Sequence, residues 1–459
     1  MRFFSLLARC VAGCTGFSWF RQAAWQLAFM LLWGSAGIAV ADSRPQEWAG
    51  LDGAIRATLQ FHPAINGQQA QLEAAGYAGD VAASGRLPSL SVSADNVGGE
   101  RQATAVIQQP LWTFGKLDSA LALADAEQRA EEVVLLQVRR ELLQETALAY
   151  VNIDSLRRQL QVSEQDVQEH QRLYERIQRR HQGGLASDTD VQFAWGRLVR
   201  AQSRRDGYSS QLVVAGLVLQ ALTQIPIDSG PAIPPPLLVL PEPGQLQQDV
   251  LVASADLLVK RQQVEVASRT REQTRYQSMP TLSFQVERDI PNSAVTGADV
   301  TRSGLVLEAS VNGMGMSNWS AVRAASARQR AAEQDVYVTE VDLRQTVQTL
   351  ANNRQMQERL LESQRRTVEA IANTLASFVR QYETDRKSWI EVLNTQRELT
   401  DERIELAAIE GEWQTLSLRL AAMAGYLDQW VGLPPLSEQG VATASSLSLD
   451  GHKGPRANR

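Results

Sequence analysis

The chain is written twice, and no other feature limits its fold as much. Arg86-Leu87-Pro88-Ser89-Leu90-Ser91 recurs as Ser278-Met279-Pro280-Thr281-Leu282-Ser283, at an offset of 192. Thr189-Asp190-Val191 corresponds to Ile390-Glu391-Val392, and Ala221-Leu222-Thr223 to Ala422-Met423-Ala424, both at an offset of 201. The extra nine residues are expected between Pro280 and the second long helix, where Pro291-Asn292-Ser293 and Gly297-Ala298-Asp299 read as a longer loop. Self-similarity at a fixed offset marks one structural unit built two times over.

Each half reads helix, hairpin, very long helix, shorter helix. Leu90, Val92 and Ala94 alternate with Ser89, Ser91 and Ser93, and Ala103, Ala105 and Ile107 share a face of the return strand. Leu282, Phe284 and Val286 alternate with Ser283, Gln285 and Glu287, and Leu305, Leu307, Ala309 and Val311 line the second return strand. Period two with one apolar face predicts half-buried strands, with Gly98-Gly99 at the first turn. From Leu117 to Gln182 there is neither proline nor glycine. A helix of that length spans about 100 Å, which predicts a coiled coil rather than a globular domain. Ala149, Ile153, Leu156, Leu160, Ser163, Val167, His170, Tyr174 and Ile177 follow alternating steps of four and three. Leu343, Val347, Leu350, Leu361, Val368, Ile371, Leu375, Phe378 and Tyr382 keep one heptad phase, with Arg354, Gln357 and Gln364 in its polar gaps. Such a repeat imposes a left-handed supercoil.

The organisation follows. Residues 1–41 carry Arg2, Arg9 and Arg21 with no acid, then an apolar run ending in Ala39-Val40-Ala41. This predicts a signal peptide cleaved before Asp42. Two other readings stand beside it: an anchor helix, and a lipoprotein box at Val11-Ala12-Gly13-Cys14, weakened by Arg9 in the stretch ahead of it. The first repeat is expected over 42–226 (strands about 87–111, long helices about 115–224). A proline-rich linker follows at 227–244, then the second repeat at 245–432 (strands about 280–312, long helices about 317–430), and a disordered tail at 433–459. Cys10 and Cys14 are the sole cysteines, so no disulfide scaffold or cysteine–zinc site is expected. A net charge of −6 gives no basic surface for nucleic acid. The four histidines lack metal-ligand spacing, and no cofactor or metal is expected. Hydrolase, zinc-protease and phosphate-loop motifs are absent, so the chain does not read as an enzyme.

Past residue 41 no apolar run is long enough to cross a bilayer as a helix, so any membrane part must be made of strands. An open four-stranded sheet would leave edge groups unpaired in lipid. Two copies would close eight strands filled by their own side chains; three would close twelve, wide enough for a lumen. The predicted fold is therefore mainly α with a small β part. A duplicated helix–hairpin–long helix–helix unit forms a trimeric twelve-stranded barrel, continued by a long antiparallel α-helical coiled-coil tunnel. Trp112, Phe114 and Trp319 fall just past the strands, where either an interfacial belt or core packing would hold them.

Over roughly residues 50–432 the chain resembles the TolC family of outer-membrane channels. The matching residues are the doubled Pro-Ser/Thr-Leu-Ser strand starts, Gln109-Pro110-Leu111-Trp112-Thr113-Phe114-Gly115, Gly184-Leu185-Ala186-Ser187-Asp188-Thr189-Asp190-Val191, and Arg386-Lys387-Ser388-Trp389-Ile390-Glu391-Val392-Leu393-Asn394-Thr395-Gln396-Arg397-Glu398-Leu399. The last stretch, with Gly315-Met316-Ser317-Asn318, is similar to the branch serving type I secretion of large adhesins. Departures are His62-Pro63 for the usual Asn-Pro, Ser310-Val311-Asn312-Gly313 in place of a second Gln-Pro-Leu, and Asp385 where a glycine is usual.

The resemblance implies a homotrimer in the outer membrane of a Gram-negative cell, with its helices in the periplasm. It also implies a periplasmic adaptor (membrane fusion protein) and an inner-membrane ABC transporter as partners, and outer-membrane lipid around the barrel. The expected function is the exit duct of a type I secretion system. The alternative is the outer component of a small-molecule efflux pump, and more distantly a periplasmic coiled-coil adaptor. Carried over by position, Thr189, Asp190, Tyr382 and Lys387 form a periplasmic gate, with Asp190 accepting from the Tyr382 hydroxyl and pairing with Lys387. Lysine stands there in place of the family's arginine and cannot make a bidentate fork. Glu391 keeps one acidic ring of the entrance constriction, and Asn394 replaces the second. Gly184, Leu185, Ala186 and Ser187 form the adaptor-docking turn. Read without the resemblance, Gly183-Gly184 is a helix stop and Ser187 or Asp188 a helix cap.

Overall fold

The computed structural model describes residues 50–97, 100–227, 233–291, 300–310, 315–384 and 386–432. The signal peptide and its cleavage site, the Gly98-Gly99 turn, part of the linker, residues 292–299, Val311 to Gly313, Asp385 and the predicted tail lie outside the described residues. The first repeat comprises α1 (Gly50–Phe61), α2 (Pro63–Ser84), β1 (Ser89–Val97), β2 (Glu100–Trp112), α3 (Lys116–Gln182) and α4 (Asp188–Thr223). A 3-10 turn at Pro235–Leu237 leads to α5 (Pro243–Ala253), α6 (Ala255–Tyr276), β3 (Thr281–Pro291), β4 (Val300–Glu308), α7 (Met316–Glu383), α8 (Trp389–Met423) and α9 (Tyr426–Val431).

The duplication is visible in element lengths. Helices α2 and α6 have 22 residues each, α3 and α7 have 67 and 68, and α4 and α8 have 36 and 35. Gly115 and Gly315 precede the long helices in matching left-handed conformations, φ 87° and 88°. Tyr276 leaves no easy room at Gly115, where a Cβ would lie 3.2 Å from its ring. The offset is 192 at the strand starts Ser89 and Thr281, 200 at these glycines, and 201 at the caps Ser187 and Ser388. Thus eight of the nine extra residues enter across the hairpin, and the ninth lies within α7.

Helix α3 is the axis of the packing. Helix α2 lies along its first part, where Gln68 Nε2 donates to Glu131 (2.6 Å) and Arg86 pairs with Asp118 (2.7 Å). Helices α4 and α8 cover its later part, and α6 touches both α3 and α7. His62 starts α2 by accepting the Ala64 N–H on Nδ1, with Pro63 at the first helical position. At mid-length, Leu51 and Ile55 of α1, Leu143 and Val151 of α3, Leu219 of α4, Leu418 of α8 and Leu427 of α9 form the main core. A second core gathers Val250, Leu257, Val347 and Leu420. The predicted seams hold: Ile153, Leu156, Ser163, His170 and Ile177 are buried in α3, and Leu343, Val347, Leu350, Leu361 and Tyr382 in α7.

The four strands form one antiparallel sheet in the order β1-β2-β3-β4. Register places Leu90 opposite Ile107, Val92 opposite Ala105 and Ala94 opposite Ala103. Ile107 meets Val286, Leu282 meets Leu307 and Phe284 meets Leu305. Period two thus collects one apolar face, and Leu90, Val92, Ile107, Phe284, Leu305 and Leu307 are exposed on it. On the other face Gln108 Nε2 donates to Ser283 Oγ (2.9 Å). Ala309 lies beyond the end of β4, so the apolar row of that strand is shorter than predicted. Trp112 is the last residue of β2 rather than past it, and it and Phe114 are exposed and meet edge to face at 6.1 Å. Trp319 is exposed too, under the Arg323 guanidinium at 4.5 Å. Among the described residues no helix is long and apolar enough to cross a membrane.

Candidate functional site at the helix tips

The two helix turns repeat the same chemistry. At the first, the Leu185 N–H donates to the Arg180 carbonyl (2.8 Å) and Gly184 takes φ 73°. At the second, the Arg386 N–H donates to the Gln381 carbonyl (2.9 Å). Both bonds reach back five residues and satisfy a carbonyl that the ending helix leaves free. Each following helix opens with a reciprocal capping box. Asp190 N–H donates to Ser187 Oγ (3.2 Å) while Ser187 N–H donates to Asp190 Oδ2 (3.0 Å). Glu391 N–H donates to Ser388 Oγ (3.4 Å) while Ser388 N–H donates to Glu391 Oε2 (3.1 Å). Ser187, and not Asp188, is the cap.

These bonds hold both carboxyls below the usual range. For Asp190 the cause is first the Ser187 backbone and then its hydroxyl, with a smaller part from a hydrogen bond with Trp389. For Glu391 it is first the bond from Lys387, then Ser388. Lys387 Nζ sits 2.6 Å from Glu391 Oε1 and 4.5 Å from the centre of the Phe378 ring. Tyr382 is buried, with the Arg180 guanidinium 5.2 Å from its ring centre. Trp389 packs edge to face on Phe193 at 5.7 Å, joining the two tips.

Among the described residues, then, one chain does not bring Asp190 to Tyr382 or to Lys387. The reason is local: the box at Ser187 occupies Asp190, and Glu391, four residues on, captures Lys387. Glu391 carries its charge beside a cation rather than bare. Thr189 is exposed in the first turn of α4, and Asn394 Oδ1 accepts from Arg197 Nη2 (3.1 Å). In the turn expected to seat an adaptor, Leu185 is 71% exposed with no apolar cover, and the Ala186 carbonyl lies 2.9 Å from His181 Nδ1. The roles of Arg180, Phe193, Trp389 and Arg197 were not read from the sequence. The first cap was read there as Ser187 or Asp188; the cap at Ser388 was not, though both turns carry the same Ser-x-x-acid signal before a helix.

Higher up, a polar layer interrupts the seam between α3 and α8. Thr400 Oγ1 donates to Asp166 Oδ1 (2.6 Å), and His170 Nε2 lies 3.5 Å from the same oxygen. Burial lowers the His170 pKa, with Asp166 opposing and Arg197 and Arg204 adding to it, so the ring is neutral at pH 7.

Replacing the cap serine by Ser187→Ala is expected to cost about 0.5–2 kcal/mol, with the same direction for Ser388→Ala. The readout is faster amide hydrogen exchange at 188–191 and 389–392. A carboxyl with a depressed folded pKa stabilises fully above its unfolded value and less as pH falls through the folded one. Protection of both turns is therefore expected to hold at neutral pH and to be lost in acid. Exchange unchanged by either serine replacement would refute the capping account.

A duplicated chain of two very long helical hairpins, carrying a four-stranded sheet at one end and paired turns at the other, defines the helical-tunnel class of outer-membrane proteins. The chain belongs to the outer membrane efflux protein family, whose profile matches residues 54–223 and 246–426. That family is one of channels, not of enzymes. A search of curated proteins found no match. Solved structures share the fold. The Vibrio cholerae outer membrane protein VceC is 17% identical with a TM-score of 0.68, over 82% of this chain and 96% of that one. The Campylobacter jejuni outer membrane channel CmeC is 12% identical with a TM-score of 0.68, over 89% and 90%. The open state of the Neisseria gonorrhoeae outer membrane channel MtrE is 15% identical with a TM-score of 0.62, over 82% and 89%.

Proposed function

We propose that three copies of this chain, exported by the 1–41 signal peptide, form a twelve-stranded barrel in the outer membrane and a helical tunnel below it. The observation that carries this is the sheet: four strands, an exposed apolar face, and two edges, β1 and β4, without partners in the described chain. Lipid tolerates neither edge, so closure must come from further copies. The duct serves type I secretion of an unfolded protein, a large adhesin, handed over by an ABC transporter and its adaptor. The support for that branch is the Arg386–Leu399 stretch. The family description favours a second reading, small-molecule efflux. A giant repeat protein and an ABC transporter encoded beside this gene would favour secretion; a drug pump there would favour efflux.

The adaptor seats on Gly184, Leu185, Ala186 and Ser187, because exposed Leu185 needs an apolar partner. The gate lies at Thr189, Asp190, Tyr382 and Lys387. Since one chain spends Asp190 and Lys387 on its own caps, the gate contacts run between copies. Exposed pairs contribute about 0–1 kcal/mol each, so such a latch opens readily on partner binding. The entrance ring at Glu391 and Asn394 carries little net acid. The test is the protein mass of the detergent-extracted particle, followed by conductance in planar bilayers. Three chains per particle and a higher resting conductance for Tyr382→Phe are expected. A soluble monomer in the periplasmic fraction would refute the channel, and unchanged conductance would remove the Tyr382 hydroxyl from the gate.

A further inference from the structure

We infer that Arg197, Arg200 and Arg397 form a cationic strip at the tunnel entrance that selects carboxylate-bearing passengers, such as acidic polypeptide segments, over cations. This rests on the proposed channel, with the α4 and α8 tips at its entrance. Four guanidiniums gather where α4 meets α8, and Arg204 alone has a counter-charge, Asp401 at 2.7 Å. Among the described residues, Arg197, Arg200 and Arg397 make no ion pair. Arg197 gives one N–H to neutral Asn394 (3.1 Å), lies over the Phe193 ring (4.9 Å), and keeps a buried Nη1 with no partner. Arg200 and Arg397 are exposed. Burial, then the charges of Arg397 and Arg200, hold the Arg197 guanidinium below its usual range, with Asp401 opposing.

Like charges held together in a partly dry seam are costly unless a counter-ion visits. The acid that acts on Arg197, Asp401, is already paired with Arg204. Glu391 is engaged by Lys387, and Glu398, beside Arg397 in sequence, makes no ion pair among the described residues. An aspartate at 394 would neutralise Arg197 in place; asparagine satisfies one N–H and leaves the charge. Guanidinium presents a planar fork that fits a carboxylate through two bonds. Rings of such groups bias a pore toward anions.

The full-length trimer is reconstituted in planar bilayers under a potassium chloride gradient, and the reversal potential gives the chloride-to-potassium permeability ratio. Wild type is expected to favour chloride. The variant R197Q/R200Q/R397Q is expected to lose that preference several-fold, whereas R197K/R200K/R397K retains it. Polyglutamate added on the tip side should block wild type at lower concentrations than the glutamine variant. Open channels with the same ratio and the same block in both would overturn the strip and leave the channel standing. No conductance from any trimer, wild type included, would overturn the channel reading and the strip with it.

Discussion

Arg140→Met is expected to destabilise the chain by about 3–5 kcal/mol, the usual cost of stranding one member of a buried ion pair. The Arg140 and Asp428 side chains are only 12% and 5% exposed. One guanidinium amine pairs with Asp428 of α9, and the other donates to the Ala253 carbonyl at the α5–α6 junction. A single side chain from the middle of α3 thereby ties three elements of the second repeat's base to the first repeat. Burial raises the Asp428 pKa, with Arg140 pulling the other way. Without the arginine only burial remains, so the carboxyl rises further. A raised folded pKa means that stability is greatest below the unfolded value and is lost as pH rises through the folded one. The variant's unfolding midpoint is therefore expected to climb as pH falls from neutral toward the ordinary carboxylate range. The double variant R140M/D428L removes the stranded charge and should recover most of the loss. A single variant as stable as wild type, with no recovery in acid, would sink this account.

Periodic and local features were legible in the sequence. The duplication, the unbroken run to Gln182, the alternation of the strands and the cap at Ser187 each need a window of a few dozen residues or a comparison of two. The tips were harder. Position by position, Asp190, Tyr382 and Lys387 looked like one cluster, yet within one chain Asp190 is held by the Ser187 cap and Lys387 by Glu391. Within one chain, the choice between a local cap and a distant partner is set by geometry that a sequence does not carry. Arg140 and Asp428 are also out of reach of any pattern, because nothing in the residues between them states that α9 folds back on α3. The Arg197–Asn394 and Arg204–Asp401 contacts share a spacing of 197 residues. That shared spacing was a usable signal, since two charged helices in register repeat their contacts every two turns.

The second large effect is expected at Gly411, and its sign separates packing from propensity. Glycine inside a helix is about 1 kcal/mol worse than alanine, so propensity alone predicts that Gly411→Ala stabilises α8. The structure predicts the reverse. Gly411 is where α8 crosses α3, and a Cβ there would lie 2.7 Å from the Ser155 Cβ and closer still to its hydroxyl. Ser155 cannot withdraw, because its own Cβ is part of the clash and its side chain is buried. The helices must separate, at a cost of about 1–3 kcal/mol for alanine and more for valine. Gly207 in α4 supplies the contrast, since a Cβ there meets nothing within 4 Å, and Gly207→Ala should stabilise. In denaturant melts of the detergent-solubilised protein, S155G should rescue G411A, giving a coupling that independent sites do not show. Equal gains from G411A and G207A would mean that α3 and α8 do not meet this closely. The polar layer of Asp166, His170 and Thr400 would then lose its seal on the same seam, because one close crossing sets the distance between these helices along that whole stretch.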